Sequence, residues 1–333
     1  MKAYVIPQFG IDSLEIVDRP DPVAAPGEAV IEMKAWSLNY RDTLVIEGEY
    51  NPKMKLPMVP FSDGAGEVIA VGEGVTRVKP GDRVCPIFMQ GWIGGAYRDE
   101  FGKTALGGAI EGVLAEKVAL KTDGLVKIPA GYRWEEAATL PCAAVTAWDA
   151  VVEQGRVKAG DTILVLGSGG VSVFALQFAR MHGATVIATS SSAAKAERLK
   201  SMGAAEVIDY NATPDWHKEI LKRFGGVDHV VEVGGAGTFS KSLMAARGGG
   251  RVSVIGNLTG LTTDVNVALI LHKFLSVQGI FVGSRDMFES MNRAIEASAM
   301  KPVMDRVFEF GEVREALKHM QSAAHFGKIA VRR

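Results

Sequence analysis

Residues 162–179 contain no charged side chain, yet glycines at 167, 169 and 170 and serines at 168 and 172 break the middle of the run. A membrane-spanning helix of this length would be continuously apolar. A strand, a glycine turn and a helix account for the pattern better. In Leu164-Val165-Leu166-Gly167-Ser168-Gly169-Gly170-Val171-Ser172, Gly167 permits a tight turn out of the strand, and Gly169 lets backbone approach a diphosphate closely. Ser168, Gly170 and Val171 complete the turn, and the start of the following helix supplies free N–H groups and a positive dipole end. Serine at 172 stands where glycine or alanine is usual, and it is small enough for helix–strand packing. The segment reads as a dinucleotide-binding turn.

The flanking sequence repeats the same alternation. Apolar strand-like runs at 162–166, 185–189, 206–209, 227–233 and 251–255 are separated by helical patterns at 170–182, 193–202, 214–224 and 238–246. Such spacing predicts a doubly wound parallel sheet of the α/β class. Two helical patterns, 134–140 and 143–154, lead into it. The first 120 residues differ, with short strand-like runs at 29–33, 66–71 and 83–87 punctuated by turns such as Lys79-Pro80-Gly81-Asp82. That is the pattern of a compact, irregular β domain, expected to form a distorted barrel. The tail offers strands at 274–282, 303–308 and 328–331 and a helix at 286–299. We therefore expect one domain over 1–125 and a dinucleotide-binding domain over 126–265. Residues 266–333 should complete the sheet and return to the first domain, leaving a cleft between the two bodies.

The end of the second strand of this sheet bears on which dinucleotide is bound. An NAD site usually places a carboxylate there for the ribose 2′-hydroxyl. This chain has Thr189-Ser190-Ser191-Ser192, with Lys195 one helical turn on. Hydroxyls and an ammonium favour a 2′-phosphate, and so NADP(H). The serine run also suits a helix cap, and the two roles are compatible.

Composition excludes other classes. The chain has 333 residues, 47% apolar and 23% charged, with a formal net charge of -1 and no long run of one sign, so neither nucleic acid nor a membrane is an expected partner. Two cysteines, Cys85 and Cys142, cannot build a disulfide scaffold, and no signal-like apolar segment opens the chain, so a cytoplasmic protein is expected.

Several motifs in order resemble the medium-chain dehydrogenase/reductase superfamily. They are Pro26-Gly27-Glu28-Ala29-Val30-Ile31, Ser37-Leu38-Asn39-Tyr40-Arg41-Asp42, Gly64-Ala65-Gly66-Glu67-Val68, Val78-Lys79-Pro80-Gly81-Asp82-Arg83-Val84, Ala143-Ala144-Val145-Thr146-Ala147-Trp148, the glycine turn, and Gly327-Lys328. The resemblance runs nearly end to end and implies a GroES-like β-barrel domain beside a Rossmann domain. It also implies a small-molecule substrate and, by analogy, a homodimer with strands near 274–282 as its interface.

The departures from zinc-using members are as informative. Asn39 stands at their first zinc cysteine and Ser62 at their zinc histidine, with Asp63 in the adjacent glutamate position, and only Cys142 remains in the place of the third ligand. One thiol cannot hold catalytic zinc, which takes three protein ligands. The four-cysteine structural lobe is also missing, since 87–108 contains no cysteine. No metal is expected. Without that Lewis acid, an ordinary ketone needs a hydrogen-bond donor to stabilise its alkoxide, whereas a quinone or enone delocalises the charge. Tyr40, Ser62 or an ordered water are candidate donors.

The zinc-free branch resembles quinone oxidoreductases and enoyl reductases. The expected activity is hydride transfer from NADPH to a quinone, enone or similar activated carbonyl. The alternatives are a zinc-independent NADP-dependent alcohol dehydrogenase or ketone reductase, and an NADPH-binding protein without turnover. By the same resemblance, Asn39 lies near the nicotinamide with Asp42 as its companion acid, and Thr146 lies by the cofactor. Ser192 and Lys195 match 2′-phosphate binders, with Ser190 and Ser191 beside them. Tyr210 matches a tyrosine near the adenosine, Gly256 and the backbone of Phe281 and Val282 match the carboxamide site, and Lys328 matches a basic position beside the cofactor. Each has a plainer reading: Asn39 as a turn residue, Asp42 as a helix cap or salt-bridge partner, Tyr40 as core packing, Tyr210 as a strand end, Cys142 as an inert thiol. Residues 91–111 are glycine-rich and read as a loop over the cleft, with Trp92, Tyr97 and Phe101 as pocket walls, or as a surface Ω-loop.

Overall fold

A computed structural model describes residues 1–333. The chain divides into two compact units, one of residues 1–145 and 282–333 and one of residues 146–281. No helix is long and apolar enough to cross a membrane.

The second unit is built on a six-stranded, wholly parallel sheet. Its spatial order is Glu206–Asp209, Thr185–Ser190, Thr162–Val165, Val227–Glu232, Ala246–Val254 and Ser276–Gly279. The order runs 3-2-1-4-5-6 and reverses beside Thr162–Val165, the switch point at which such folds bind nucleotides. Val186, Ile187 and Ala188 are consecutive and wholly buried, as they must be in a strand covered on both faces. The expected strands and helices from 162 to 254 are all present, with ends shifted by a few residues. Leu164, Ile187 and Val230 pack with Trp216, Ile220 and Leu243 in one core cluster.

The first unit carries a seven-stranded, mostly antiparallel sheet. Its central strand is Glu28–Ser37, flanked by Asp63–Val71 and Lys328–Arg332 and also paired to Lys117–Lys121. Two register shifts between Glu28–Ser37 and Asp63–Val71 mark its irregularity. The C-terminal strands also belong to this sheet. Met304–Glu309 pairs parallel with Lys328–Arg332, which sets Ala330 opposite Ser37.

Three local features depart from the sequence patterns. The helical stretch from 134 to 154 is not two α-helices but short α-turns alternating with π-helix at Leu140–Ala144 and Asp149–Glu153. Pro141 has no N–H to donate, which interrupts the regular ladder at that point. This segment also belongs with the first unit as far as Val145, so the units part there and not near 125. A helix absent from the predicted elements, Val313–Gln321, buries Val313, Ala316, Leu317 and Met320. Finally, Trp92 and Phe101, offered by the sequence as pocket walls, pack on one another. They stack with ring centroids 6.0 Å apart, both buried, with Tyr97 edge-on to them. Residues 91–111 thus carry an aromatic core of their own.

Candidate functional site

Two groups of candidate residues assemble, one in each unit. In the first unit, the helix Tyr40–Ile46 begins at Asn39, and the Asp42 carboxylate accepts the Asn39 N–H at 2.8 Å. Asp42 is therefore a helix-capping residue as well as part of a polar cluster. The cluster is closed by Lys328, whose strand lies antiparallel beside the strand ending at Ser37. The Lys328 ammonium donates to the Leu38 carbonyl at 2.5 Å and to Asn39 Oδ1 at 2.6 Å. From the start of the neighbouring strand, the Ser62 hydroxyl donates to Asp63 Oδ1 at 2.7 Å, and Asp63 Oδ2 accepts the Cys142 N–H at 3.1 Å. Asn39 thus bonds a lysine, Ser62 and Cys142 share Asp63, and the attraction between the Lys328 and Asp63 charges links these three positions, singled out by the absence of zinc ligands, into one network.

The electrostatics follow from burial. Lys328, Asp42 and Asp63 are almost wholly inaccessible. Desolvation lowers the Lys328 pKa and raises that of Asp63, while the attraction between the two charges opposes both shifts. Asp42 is pushed up to about 6 by burial, against the pull of Arg41. Burial, then the Asp63 charge, pushes the Cys142 thiol up, so it is not a poised nucleophile. No group of three His, Cys, Asp or Glu side chains is arranged to hold a metal ion. Tyr40 sits at the first helical turn and is 41% exposed, so it is not core packing.

In the second unit, Gly167 adopts φ +72° and its N–H donates to Thr189 Oγ1 at 3.1 Å, fixing the turn against the end of the second strand. A side chain at Gly167 or Gly169 would meet nothing within 4 Å, and the helix Gly170–Met181 has no side-chain cap. The turn therefore presents uncapped N–H groups to open space, an arrangement that fits the diphosphate of a dinucleotide. The Ser172 hydroxyl donates to the Leu166 carbonyl at 2.6 Å, which explains how serine is accommodated at that position.

Tyr210 follows the strand beside this serine run, and its N–H donates to the Ser190 carbonyl at 3.0 Å. Ser192 caps the helix Ala193–Ser201 by accepting the Lys195 N–H. Thr146 is buried, and Val282 adopts φ +64°. Gly256 packs against Val233, whose carbonyl a side chain would strike.

Sequence reasoning missed three participants. Asp63 was weighed only as a replaced glutamate, Arg41 carried no local signal, and Asn211, whose amide donates to the Ser191 carbonyl at 3.0 Å, had none either.

Comparison with known proteins extends this picture. Residues 25–130 match the alcohol dehydrogenase GroES-like domain, and residues 170–297 match the zinc-binding dehydrogenase family. A zinc-type alcohol dehydrogenase-like protein of Schizosaccharomyces pombe is 42% identical over 315 residues, covering 92% of this chain and 91% of its own length. The structure of an NAD-dependent alcohol dehydrogenase superposes with a TM-score of 0.91 at 34% identity, covering 100% of both chains. That of the 2-octenoyl-CoA carboxylase reductase CinF, in complex with NADP and 2-octenoyl-CoA, gives 0.86 at 27% identity, covering 97% of this chain and 82% of that one.

Proposed function

The chain belongs to the medium-chain dehydrogenase/reductase superfamily of oxidoreductases, and from that premise we propose that it transfers hydride from NADPH to an activated acceptor, an enone or quinone, without a metal. One observation carries the reading. Where the resemblance puts zinc ligands, the chain holds a lysine ammonium between the Leu38 carbonyl and Asn39 Oδ1. The coenzyme supplies the hydride. The protein's part is to position the acceptor and to balance the negative charge that grows on it.

Donor availability favours activated acceptors over plain ketones. The Ser62 hydroxyl is wholly buried and already donates to Asp63, so it has no proton for a substrate oxygen. Tyr40 is the remaining exposed hydroxyl among the candidates. An acceptor that delocalises its charge asks least of so lean a set. The enoyl thioester bound by CinF is of that kind, and NADP is bound there too.

Residues 189–195 contain no carboxylate, while Ser192 and Lys195 present a hydroxyl and an ammonium, which supports NADPH over NADH. The relative described as NAD-dependent makes this point worth measuring. Gly167–Val171 would hold the diphosphate, and Ser190–Ser192, Lys195 and Tyr210 the adenosine end. Asn39, Thr146, Gly256, Phe281, Val282 and Lys328 would serve the nicotinamide end.

A homodimer belongs to the same proposal. The strand Ser276–Gly279 is the outer edge of its sheet with all four residues exposed, and Phe274 beside it is 84% exposed. Such an open edge, with Phe274 and Val277 exposed on it, suits pairing with a second copy.

The test is steady-state oxidation of NADPH and of NADH with 1,4-naphthoquinone, 2-cyclohexenone and cyclohexanone. The proposal expects turnover with NADPH on the first two acceptors. Activity on cyclohexanone alone would replace it with the ketone-reductase reading, and tight NADPH binding with no turnover would make the chain a binder.

A further inference from the structure

The polar network has two arms on separate elements: Asn39–Asp42 at the start of a helix, and Ser62–Asp63 at the start of a strand. One strap of backbone, residues 104–113, touches both. On one side, the Leu106 and Gly107 carbonyls accept from Arg41 Nη1 at 3.0 Å and Nη2 at 3.2 Å. The same guanidinium lies 4.7 Å from the Phe88 ring centre and 3.6 Å from Asp42 Oδ1. That oxygen accepts no hydrogen bond, so the Arg41 charge is its nearest compensation.

On the other side, the Gly112 N–H donates to the Val59 carbonyl at 2.7 Å and the Val113 N–H to the Phe61 carbonyl at 2.9 Å. Phe61, immediately before Ser62, is fully buried at φ +69°, a left-handed conformation that a phenylalanine holds only when its surroundings impose it. Gly107 lies against it. At φ +62°, a Cβ on Gly107 would come within 2.7 Å of the Phe61 carbonyl carbon and oxygen. A side chain at Gly108 would strike Arg41 itself.

We propose that Arg41 and Gly107 are positioning residues that clamp the 104–113 strap to both arms, holding Asp42 and Asp63 at fixed places about the Lys328 ammonium. Arg41 acts on one arm by hydrogen bonds and charge, and Gly107 acts on the other by close approach. Neither need touch a substrate. The groups that face Asp42 are Arg41 and Lys328, which favour its charge, and Asp63, which opposes it. Removing the Arg41 charge therefore raises the Asp42 midpoint, and loosening the strap disturbs both carboxylates.

The test uses full-length protein labelled with 13C-aspartate, with Asp42 assigned through Asp42→Asn. Replacing an opposite charge at this distance moves a carboxyl by about one unit, so Arg41→Met is expected to raise the Asp42 midpoint by about one pH unit. Arg41→Lys keeps the charge and leaves the midpoint near its place. In both Arg41 variants, amide exchange in the 104–113 peptide should quicken at least about tenfold, since the two carbonyl bonds are weakened or lost. Gly107→Ala should shift the Asp63 resonance and lower kcat for NADPH with 1,4-naphthoquinone about tenfold, leaving NADPH affinity unchanged.

The titration and exchange measurements need neither coenzyme nor acceptor. A moved Asp42 midpoint in a protein without turnover supports the clamp and removes the reductase proposal. An unmoved midpoint in folded Arg41→Met overturns the clamp. If that variant does not fold, unaltered exchange in Arg41→Lys overturns it.

Discussion

The glycine turn and the lysine network are both sites for charge, yet they are built in opposite ways. The turn is one contiguous segment, open to its surroundings, and its donors are backbone N–H groups that need no particular side chain. The network is shut away from water and draws on segments around residues 39, 62, 142 and 328, each of which satisfies another's buried charge or dipole. An open backbone site tolerates changes around it and fails when its glycines fail. A closed network fails when any partner is removed, because the group left behind remains buried and uncompensated.

That contrast can be broken most forcefully at Lys328. Lys328→Met should lower naphthoquinone turnover by about 10²–10³, the cost typical of losing one preorganised charge-stabilising donor. NADPH binding, read by quenching of tryptophan fluorescence, should weaken far less than turnover in the folded variant. Equal loss of binding and turnover would mean that Lys328 acts only by holding the nicotinamide end and not on the acceptor.

Gly169→Val is the matching change in the turn. A branched side chain would stand in the open space where the diphosphate is expected, weakening NADPH binding about 100-fold by calorimetry. The Asp42 titration should not respond, and a shift there would show that the two regions are coupled.

A third change tests burial without touching either site. Asp149 is buried, and desolvation raises its pKa from the usual 3.8 to about 7. Native protein therefore keeps a proton that the unfolded chain has released between about pH 4 and 7, so stability falls as pH rises through that window and is level above it. Asp149→Asn should remove this contribution to the slope and stabilise the protein at pH 8 by on the order of 2 kcal/mol, about 30-fold in the folding equilibrium. Denaturant unfolding at pH 5 and pH 8 reads it directly. An unchanged slope would show that water reaches this carboxylate.

The smallest expected effect is at the adenosine end. Lys195→Gln should raise the NADPH dissociation constant about tenfold, the worth of one charge-assisted hydrogen bond, and leave NADH unchanged. Equal effects on both coenzymes would remove the 2′-phosphate assignment.

The same contrast explains what could be read from the sequence. The turn was legible because strand, glycines and helix are neighbours in the chain, and their physics is local. Asn39, Asp42, Ser62 and Cys142 could be singled out one by one, but nothing local says that they meet. Lys328 reaches Asn39 only because the strand Lys328–Arg332 pairs with Glu28–Ser37 in a register that sets Ala330 opposite Ser37, almost 300 residues away in sequence. Resemblance put Lys328 beside a cofactor, and the structure adds its bond to Asn39 Oδ1.

Some misses had a readable signal. Val313, Ala316, Leu317 and Met320 follow the spacing of a buried helical face, and the helix is there. Arg41 had none, since its carbonyl partners lie 65 and 66 residues on, in a glycine-rich loop. The sequence offers Trp92 and Phe101 as pocket walls, but composition does not say whether such rings line a pocket or pack on one another, as these do.

The most direct test is a paired measurement on one preparation: zinc content by mass spectrometry, and the rate of NADPH oxidation with 1,4-naphthoquinone before and after chelation. An ammonium in place of a metal predicts full activity in protein carrying far less than one zinc per chain, unchanged by the chelator. Activity that scales with bound zinc, vanishes on its removal and returns when zinc is restored would contradict it.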